Sequence, residues 1–144
     1  MRYILPISIL ALILTFAGYI ANRTPHTDIQ QQTQTLVVAP NITVTDQHIN
    51  NSKVILGPIL MTVDGWLVLY TNVGEKPGKI LGYTHVSQGE HSDIFISISE
   101  KEYTGKIHVA PHYDWGEKKQ FEFPGIDMPI EVDGLVPVES FIIE

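Results

Sequence analysis

The sequence predicts an all-β fold: an antiparallel sandwich of two sheets, immunoglobulin-like or Greek-key, preceded by an N-terminal apolar helix. Beyond residue 35, β-branched and aromatic residues alternate with polar ones, and no long stretch repeats apolar positions with the helical period. Turn signals that contain glycine separate the apolar runs at short intervals. Short strands at such spacing favour two packed sheets, and a closed barrel is the alternative.

The chain divides into three segments by composition. Residues 1–21 are predicted to be a signal peptide or transmembrane anchor, residues 22–35 a flexible polar linker, and residues 36–144 the β-sandwich domain. The run from Ile4 to Ala21 has no charged residue and follows Arg2, an order that exports the rest of the chain. Its length suits either a cleaved signal or a membrane span, so the predicted location is extracytoplasmic, membrane-anchored or secreted.

Charge and composition exclude several classes of function. The formal net charge is -7, so the chain lacks the basic surface that nucleic acids require, and no nucleic-acid partner is predicted. The chain has no cysteine, which excludes disulfides, thiolate nucleophiles and cysteine-ligated metal centres. The domain must therefore be stabilised by its core alone.

The strand candidates follow one another with turns between them. In chain order they are residues 35–39, 41–49, 53–61, 65–72, 79–86, 92–99, 105–114, 119–124 and 136–143. The segment 65–72 is apolar on both faces and is predicted to be a central strand. The pair Asp133 and Gly134 predicts a type I′ hairpin.

The candidate strand 105–114 carries most of the residues with possible chemistry. Side chains alternate between the faces of a strand, so every second residue from Ile107 to Trp115 is predicted to face the core. The other set, from His108 to Asp114, is then predicted to face water. Pro111 indicates an edge or a bulge, since it has no N–H to donate.

A metal site is one interpretation of His112 and Asp114. Residues two apart in a strand lie about 7 Å from each other and can converge on a divalent ion such as copper or zinc. A third ligand would come from His85 or His91, which flank a predicted loop. The alternative is that Asp114 caps the Asp-Trp-Gly turn while His112 hydrogen-bonds a neighbouring segment.

The sequence gives less support to a calcium site or a catalytic site. Carboxylates at Asp127, Glu131 and Asp133 suggest calcium, but their spacing matches no calcium loop, which favours solvated edge charges. The sequence has no G-x-S-x-G elbow and no phosphate-binding glycine loop, so no catalytic residue, cofactor or enzymatic activity is predicted.

Three sequons offer acceptors for N-linked glycans. They begin at Asn22, Asn41 and Asn50. Surface glycosylation and chance occurrence in a Thr-rich segment both stay open.

The succession of motifs resembles a known family. The segments at residues 65–70, 78–98 and 121–134, with the pair His112 and Asp114, are similar to an uncharacterised domain family of prokaryotic, mostly archaeal, secreted or surface proteins. The resemblance covers roughly residues 36–144 and implies an extracytoplasmic β-sandwich, often in tandem or behind an anchor, with no assigned activity. The His-x-Asp pair is the polar feature carried over from it.

The predicted function is a non-enzymatic binding, adhesion or cell-envelope structural role at the cell surface. The N-terminal helix would contact the membrane, and an edge strand would bind a protein or glycan partner. The alternative is an extracytoplasmic copper- or zinc-binding module that uses His112 and Asp114. The sequence leaves the oligomeric state open.

Overall fold

The predicted all-β fold is confirmed. The computed structural model describes residues 38–49, 51–99 and 103–144, which belong to one compact unit, Leu36–Glu144. Every regular element in this part of the chain is a strand. The strands are β1 (Asn41–Ile42), β2 (Lys53–Leu56), β3 (Ile59–Met61), β4 (Gly65–Val73), β5 (Lys76–Val86), β6 (Gly89–His91), β7 (Ile94–Ser97), β8 (Gly105–Tyr113) and β9 (Glu139–Ile143). The predicted helix at 1–21 and linker at 22–35 lie outside the described residues.

Hydrogen bonding groups these strands into three antiparallel sheets. Their orders are β1-β3-β6, β2-β7 and β5-β4-β8-β9. A backbone bond outside the ladders connects the segment that follows β7 to the four-stranded sheet, since Ser99 N–H donates to the carbonyl of Leu81 in β5 at 2.8 Å. The predicted immunoglobulin-like or Greek-key arrangement of two sheets stays a prediction.

Gln47 joins the outer edges of β9 and β2. Its backbone N–H donates to the Ile142 carbonyl at 3.0 Å, and its carbonyl accepts from Glu144 N–H at 3.1 Å. Its side-chain amide accepts from Ile55 N–H and donates to the Ile55 carbonyl, both at 2.9 Å. One residue therefore satisfies backbone groups on two strand edges that would otherwise be open to a partner strand.

Strand β4 is central, as its two apolar faces predicted. It pairs with β5 on one side and β8 on the other, and its first six residues are buried. Leu67 and Leu69 point into the main core, whereas Trp66, Val68 and Tyr70 point into a second, smaller cluster. Strands β1 to β5 and β7 to β9 contribute to the main core. Its members there include Val54, Leu56, Ile59, Met61, Leu67, Leu69, Leu81, Ile96, Ile107, Val109, Phe141 and Ile143.

The prediction that one face of β8 meets water is wrong. The alternation itself is confirmed, because Ile107 and Val109 lie in the main core while His108 and His112 lie on the opposite side. That opposite side is buried as well: His108 is 5% exposed and His112 is 0% exposed. Trp115, predicted to face the core, is instead 56% exposed, because β8 ends at Tyr113.

The segment that covers this face was predicted to contain a strand at 119–124, and that prediction is also wrong. Residues 114–138, here called the cover segment, connect β8 to β9 through turns and isolated bridges. Phe121 and Phe123 pack from it onto the second cluster, and Ile130 N–H donates to the Pro111 carbonyl at 2.8 Å. The apolar alternation of 121–123 therefore serves packing over a sheet rather than pairing within one.

Two glycines with positive φ lie at a strand break and at a tight turn. The predicted strand 53–61 is divided at Gly57, where φ is 150° and an added Cβ would lie 1.8 Å from the Ser92 carbonyl oxygen. The type I′ hairpin predicted at Asp133 and Gly134 is confirmed by their φ values of 53° and 78° and by paired hydrogen bonds between Val132 and Leu135.

Candidate functional site

The candidate site lies between the cover segment and the outer face of the four-stranded sheet. Trp66 and Tyr70 on β4 and His112 on β8 reach this face because they occupy alternate positions of paired strands. The rings of Phe121 and Phe123 lie over them from the cover segment. A layer of aromatic and imidazole rings is therefore enclosed between a sheet and a loop.

His112 has hydrogen-bond partners on both ring nitrogens. Its Nδ1 lies 2.7 Å from the Asp127 backbone carbonyl oxygen, and its Nε2 lies 2.7 Å from the Tyr70 hydroxyl. A carbonyl oxygen can only accept, so Nδ1 carries a proton and donates it to Asp127. In the neutral ring Nε2 then accepts from the Tyr70 hydroxyl.

Burial controls the ionisation of this pair. It lowers the pKa of His112, against a smaller opposing influence of the Asp127 backbone hydrogen bond and the Asp127 charge. Burial also raises the pKa of Tyr70, so its hydroxyl keeps the proton that it donates. Tyr70 and His112 thus form a hydrogen bond between two neutral groups of the sheet, while the other ring nitrogen of His112 joins the sheet to the cover segment through the Asp127 carbonyl.

Asp127 organises the start of the cover segment. It is 0% exposed, and its Oδ1 accepts from the backbone N–H of Trp115 at 2.9 Å and of Gly116 at 3.3 Å. Its Oδ2 accepts from Glu122 N–H at 2.8 Å. Asp127 therefore caps the Asp-Trp-Gly turn, the role that the turn alternative assigned to Asp114.

Asp114 pairs with His85. Its Oδ2 lies 3.2 Å from His85 Nε2 and accepts from Lys119 N–H at 3.2 Å. Lys118 Nζ donates to the Asp114 backbone carbonyl and lies 4.0 Å from Oδ2. The second oxygen, Oδ1, is buried and has no hydrogen-bond partner. Trp66 Nε1 is likewise buried without a partner, and the Trp66 ring lies 5.1 Å from the His85 ring.

The residues predicted to bind a metal are divided between different contacts. His85 lies in β5 and reaches Asp114, whereas His112 is bonded to Tyr70 and Asp127. His91 lies in β6, where its Nε2 is 2.9 Å from the Ser87 carbonyl oxygen. Within the described ranges, no group of three or more His, Cys, Asp or Glu side chains is arranged to hold a metal ion.

Sequence reasoning missed Tyr70 as a partner of His112. The two residues are 42 positions apart, and their contact depends on the register of β4 against β8. The signal available for Asp127 was its place in a cluster of acids, which suggested calcium instead. Its burial is set by the path of the cover segment, and no local pattern encodes that path.

Comparison with known proteins identifies the family. A family model described as a domain of unknown function, DUF7282, matches residues 40–142. The chain belongs to the DUF7282 family. This confirms the predicted resemblance to an uncharacterised family of archaeal surface proteins.

The chain is similar to a short part of a cell surface glycoprotein. The chain is 24% identical over 101 residues to Cell surface glycoprotein 2 of Haloarcula hispanica, a match that covers 69% of this chain and 11% of that protein. The DUF7282 chain therefore spans a small part of its relative's length. No solved structure matches it.

Among residues 38–49, 51–99 and 103–144, no helix is long and apolar enough to cross a membrane. The predicted span at 1–21 lies outside these residues.

Proposed function

We propose that this DUF7282 protein is an extracytoplasmic, non-enzymatic module of the cell surface with a binding, adhesion or envelope-structural role. The observation that carries the proposal is the family match together with a relative named as a cell surface glycoprotein. The uncharged run ahead of the domain supports export and either anchoring in the membrane or secretion. The role of the whole Cell surface glycoprotein 2 is not assigned to this chain, because the match covers 11% of that protein.

The contacts of the buried polar groups support a non-enzymatic role. His112 uses both ring nitrogens, and the Asp127 carboxylate is bonded to three backbone N–H groups. These residues fasten the cover segment to the sheet. A general base needs an accessible nitrogen or carboxylate within reach of a substrate proton, and these groups are engaged inside the protein.

The outer edges of β9 and β2 are covered, which disfavours strand addition at these two strands. Gln47 occupies the backbone groups of Ile142 and Ile55, and Ile142 N–H donates to the Asp46 carboxylate at 2.8 Å. A partner strand would have to displace these bonds. We therefore assign partner contact to surfaces other than these two strand edges.

The proposal includes a two-layer, immunoglobulin-like arrangement of the sheets. Its support is the main core, to which the four-stranded sheet contributes residues such as Leu69 and Val109 while β2 and β7 contribute Val54 and Ile96. Apolar residues that alternate inward from both groups of strands are the pattern of two packed layers.

Protease accessibility on intact cells tests the surface location. The full-length chain, expressed in an archaeal host with a C-terminal epitope tag, should lose the tag when intact cells are treated with protease. A variant that lacks residues 2–21 is the matched control and should stay protected inside the cell. A full-length chain that is digested only after lysis would refute the proposal.

A metal-binding role is the second candidate, supported by the contact of His85 with Asp114 and by the unpartnered Asp114 Oδ1. Calorimetric titration with copper and zinc should then detect binding that Asp114→Asn abolishes and His91→Gln preserves. Equal heats for the parent chain and Asp114→Asn would eliminate this candidate.

A further inference from the structure

An aromatic pair, partly buried Tyr113 and exposed Trp115, lies at the end of β8. The rings of Tyr113 and Trp115 are stacked, with centroids 3.9 Å apart and planes inclined by 11°. Tyr113 therefore covers one face of the indole, yet Trp115 is 56% exposed. The exposure lies on the rest of the indole, whose flat apolar surface is held in place by the stack.

This pair borders a cleft, here called the Trp115 cleft. It has a volume of about 320 Å³, and its lining also includes Val63, Asp64, Gln88 and Lys118. Asp64 precedes β4 and Gln88 precedes β6, and the Asp64 carboxylate accepts from Gln88 N–H at 2.8 Å, which joins the two loops. The volume lies at the lower end of the range of small-molecule sites, about 300–1,000 Å³.

A buried carboxylate also belongs to the lining of the Trp115 cleft. Asp114 is 2% exposed, and its Oδ1 has no hydrogen-bond partner. With Asp64 the lining carries two carboxylates, whereas Lys118 is its only cation among the residues described there. This balance of charge disfavours an anionic ligand.

We propose that the Trp115 cleft binds a neutral carbohydrate. The inference rests on the proposed surface function and names the class of partner. One side of a pyranose ring presents C–H bonds, whose positive polarisation suits the negative face of an indole. Its hydroxyls match the carboxylate, amide and ammonium groups of Asp64, Gln88 and Lys118, which together accept and donate hydrogen bonds.

The test measures binding of defined sugars to the purified full-length chain, with detergent present for its apolar N-terminal run. Ligand-observed NMR with cellobiose, maltose, mannobiose and chitobiose should detect binding of at least one of these neutral probes. Digalacturonate serves as the anionic comparison. Trp115→Ala should weaken the binding by about tenfold or more, and Gln88→Ala should weaken it to a smaller extent.

Phe95→Ala is the matched control. Phe95 is 55% exposed on β7 and lines a different depression, so its removal should leave sugar binding unchanged. The turn at Trp115 is held through its backbone N–H, which the alanine variant keeps. Equal losses for Phe95→Ala and Trp115→Ala would overturn the assignment of the cleft.

Other results also overturn the proposal. They are failure of every neutral probe to bind, tighter binding of digalacturonate, or Trp115-dependent self-association without sugar binding. Protease accessibility is measured independently. A chain that is exposed on cells but binds no sugar removes the cleft assignment alone, whereas a chain protected inside cells removes the surface function.

Discussion

Replacing Tyr70 by Phe removes one hydroxyl and tests the buried hydrogen bond to His112, the residue that in turn bonds the cover segment. That hydroxyl lies 2.7 Å from His112 Nε2, and His112 is 0% exposed. The rings of Phe121 and Phe123 lie 5.8 and 4.8 Å from the His112 ring, and neither supplies a hydrogen-bond donor to Nε2. The Tyr70→Phe variant therefore leaves Nε2 as a buried acceptor without its partner.

The expected loss follows from that burial. A buried polar group that loses its partner costs about 1–3 kcal/mol, because water cannot replace the bond without opening the structure. With a urea dependence of about 1–2 kcal/mol per molar for a domain of this size, the midpoint should fall by about 1 M. The remaining hydrogen bond, from Nδ1 to the Asp127 carbonyl, should keep the fold intact.

The assay is urea unfolding of residues 36–144, followed by tryptophan fluorescence at neutral pH. Tyr83→Phe is the control, because Tyr83 is 49% exposed and water can replace its hydroxyl contacts. Equal midpoints for Tyr70→Phe and the parent domain would refute this account of the buried pair. So would nitrogen NMR spectra in which the proton of His112 resides on Nε2.

Three further predictions concern His112, Asp127 and Asn41. Burial lowers the pKa of His112, so near and below the ordinary histidine pKa of about 6.5 the folded state binds fewer protons than the unfolded state. The free energy of unfolding should therefore decrease as the pH falls below about 6.5. His112→Gln should reduce the loss of stability between about pH 7.5 and 5.5, whereas exposed His48→Gln should leave it unchanged; equal losses would contradict the assignment. Asp127→Ala removes the acceptor of three backbone N–H groups and should cost more than about 2 kcal/mol in urea unfolding, against little change for Glu131→Ala, which replaces an exposed acid of the same segment. Asn41 is exposed in β1, so mass spectrometry of the chain from an archaeal host should find a glycan there that Asn41→Gln removes, and an unmodified peptide would exclude this site.

Much of the strand layout could be predicted because it depends on local patterns. The alternation at 65–70 correctly identified β4 as a central strand, and Asp133 with Gly134 correctly identified a hairpin. Both follow from the period of the strand and the left-handed conformations of a tight turn. The strand predicted at 119–124 failed because Phe121 and Phe123 also alternate when they pack as a lid over a sheet.

The candidate site could be predicted only in part. His112 and Asp114 stood out by their spacing, and both belong to the site, but each has a different partner. The contact of His85 with Asp114 was among the anticipated possibilities. The bond between Tyr70 and His112 was not, since residues 42 apart meet only through strand register.

The sequence by itself determined which residues share a face of each strand and that the chain is built from strands. Only the tertiary structure decided whether the polar face of β8 meets water or protein. Period-two alternation places His108, Ala110 and His112 on one side, and it is equally compatible with an open and a covered side. The cover segment makes that choice, because the Asp127 carboxylate and carbonyl bind the turn and the imidazole across the chain. The face of β8 that was predicted to meet water is therefore buried under the cover segment, which long-range hydrogen bonds hold in place.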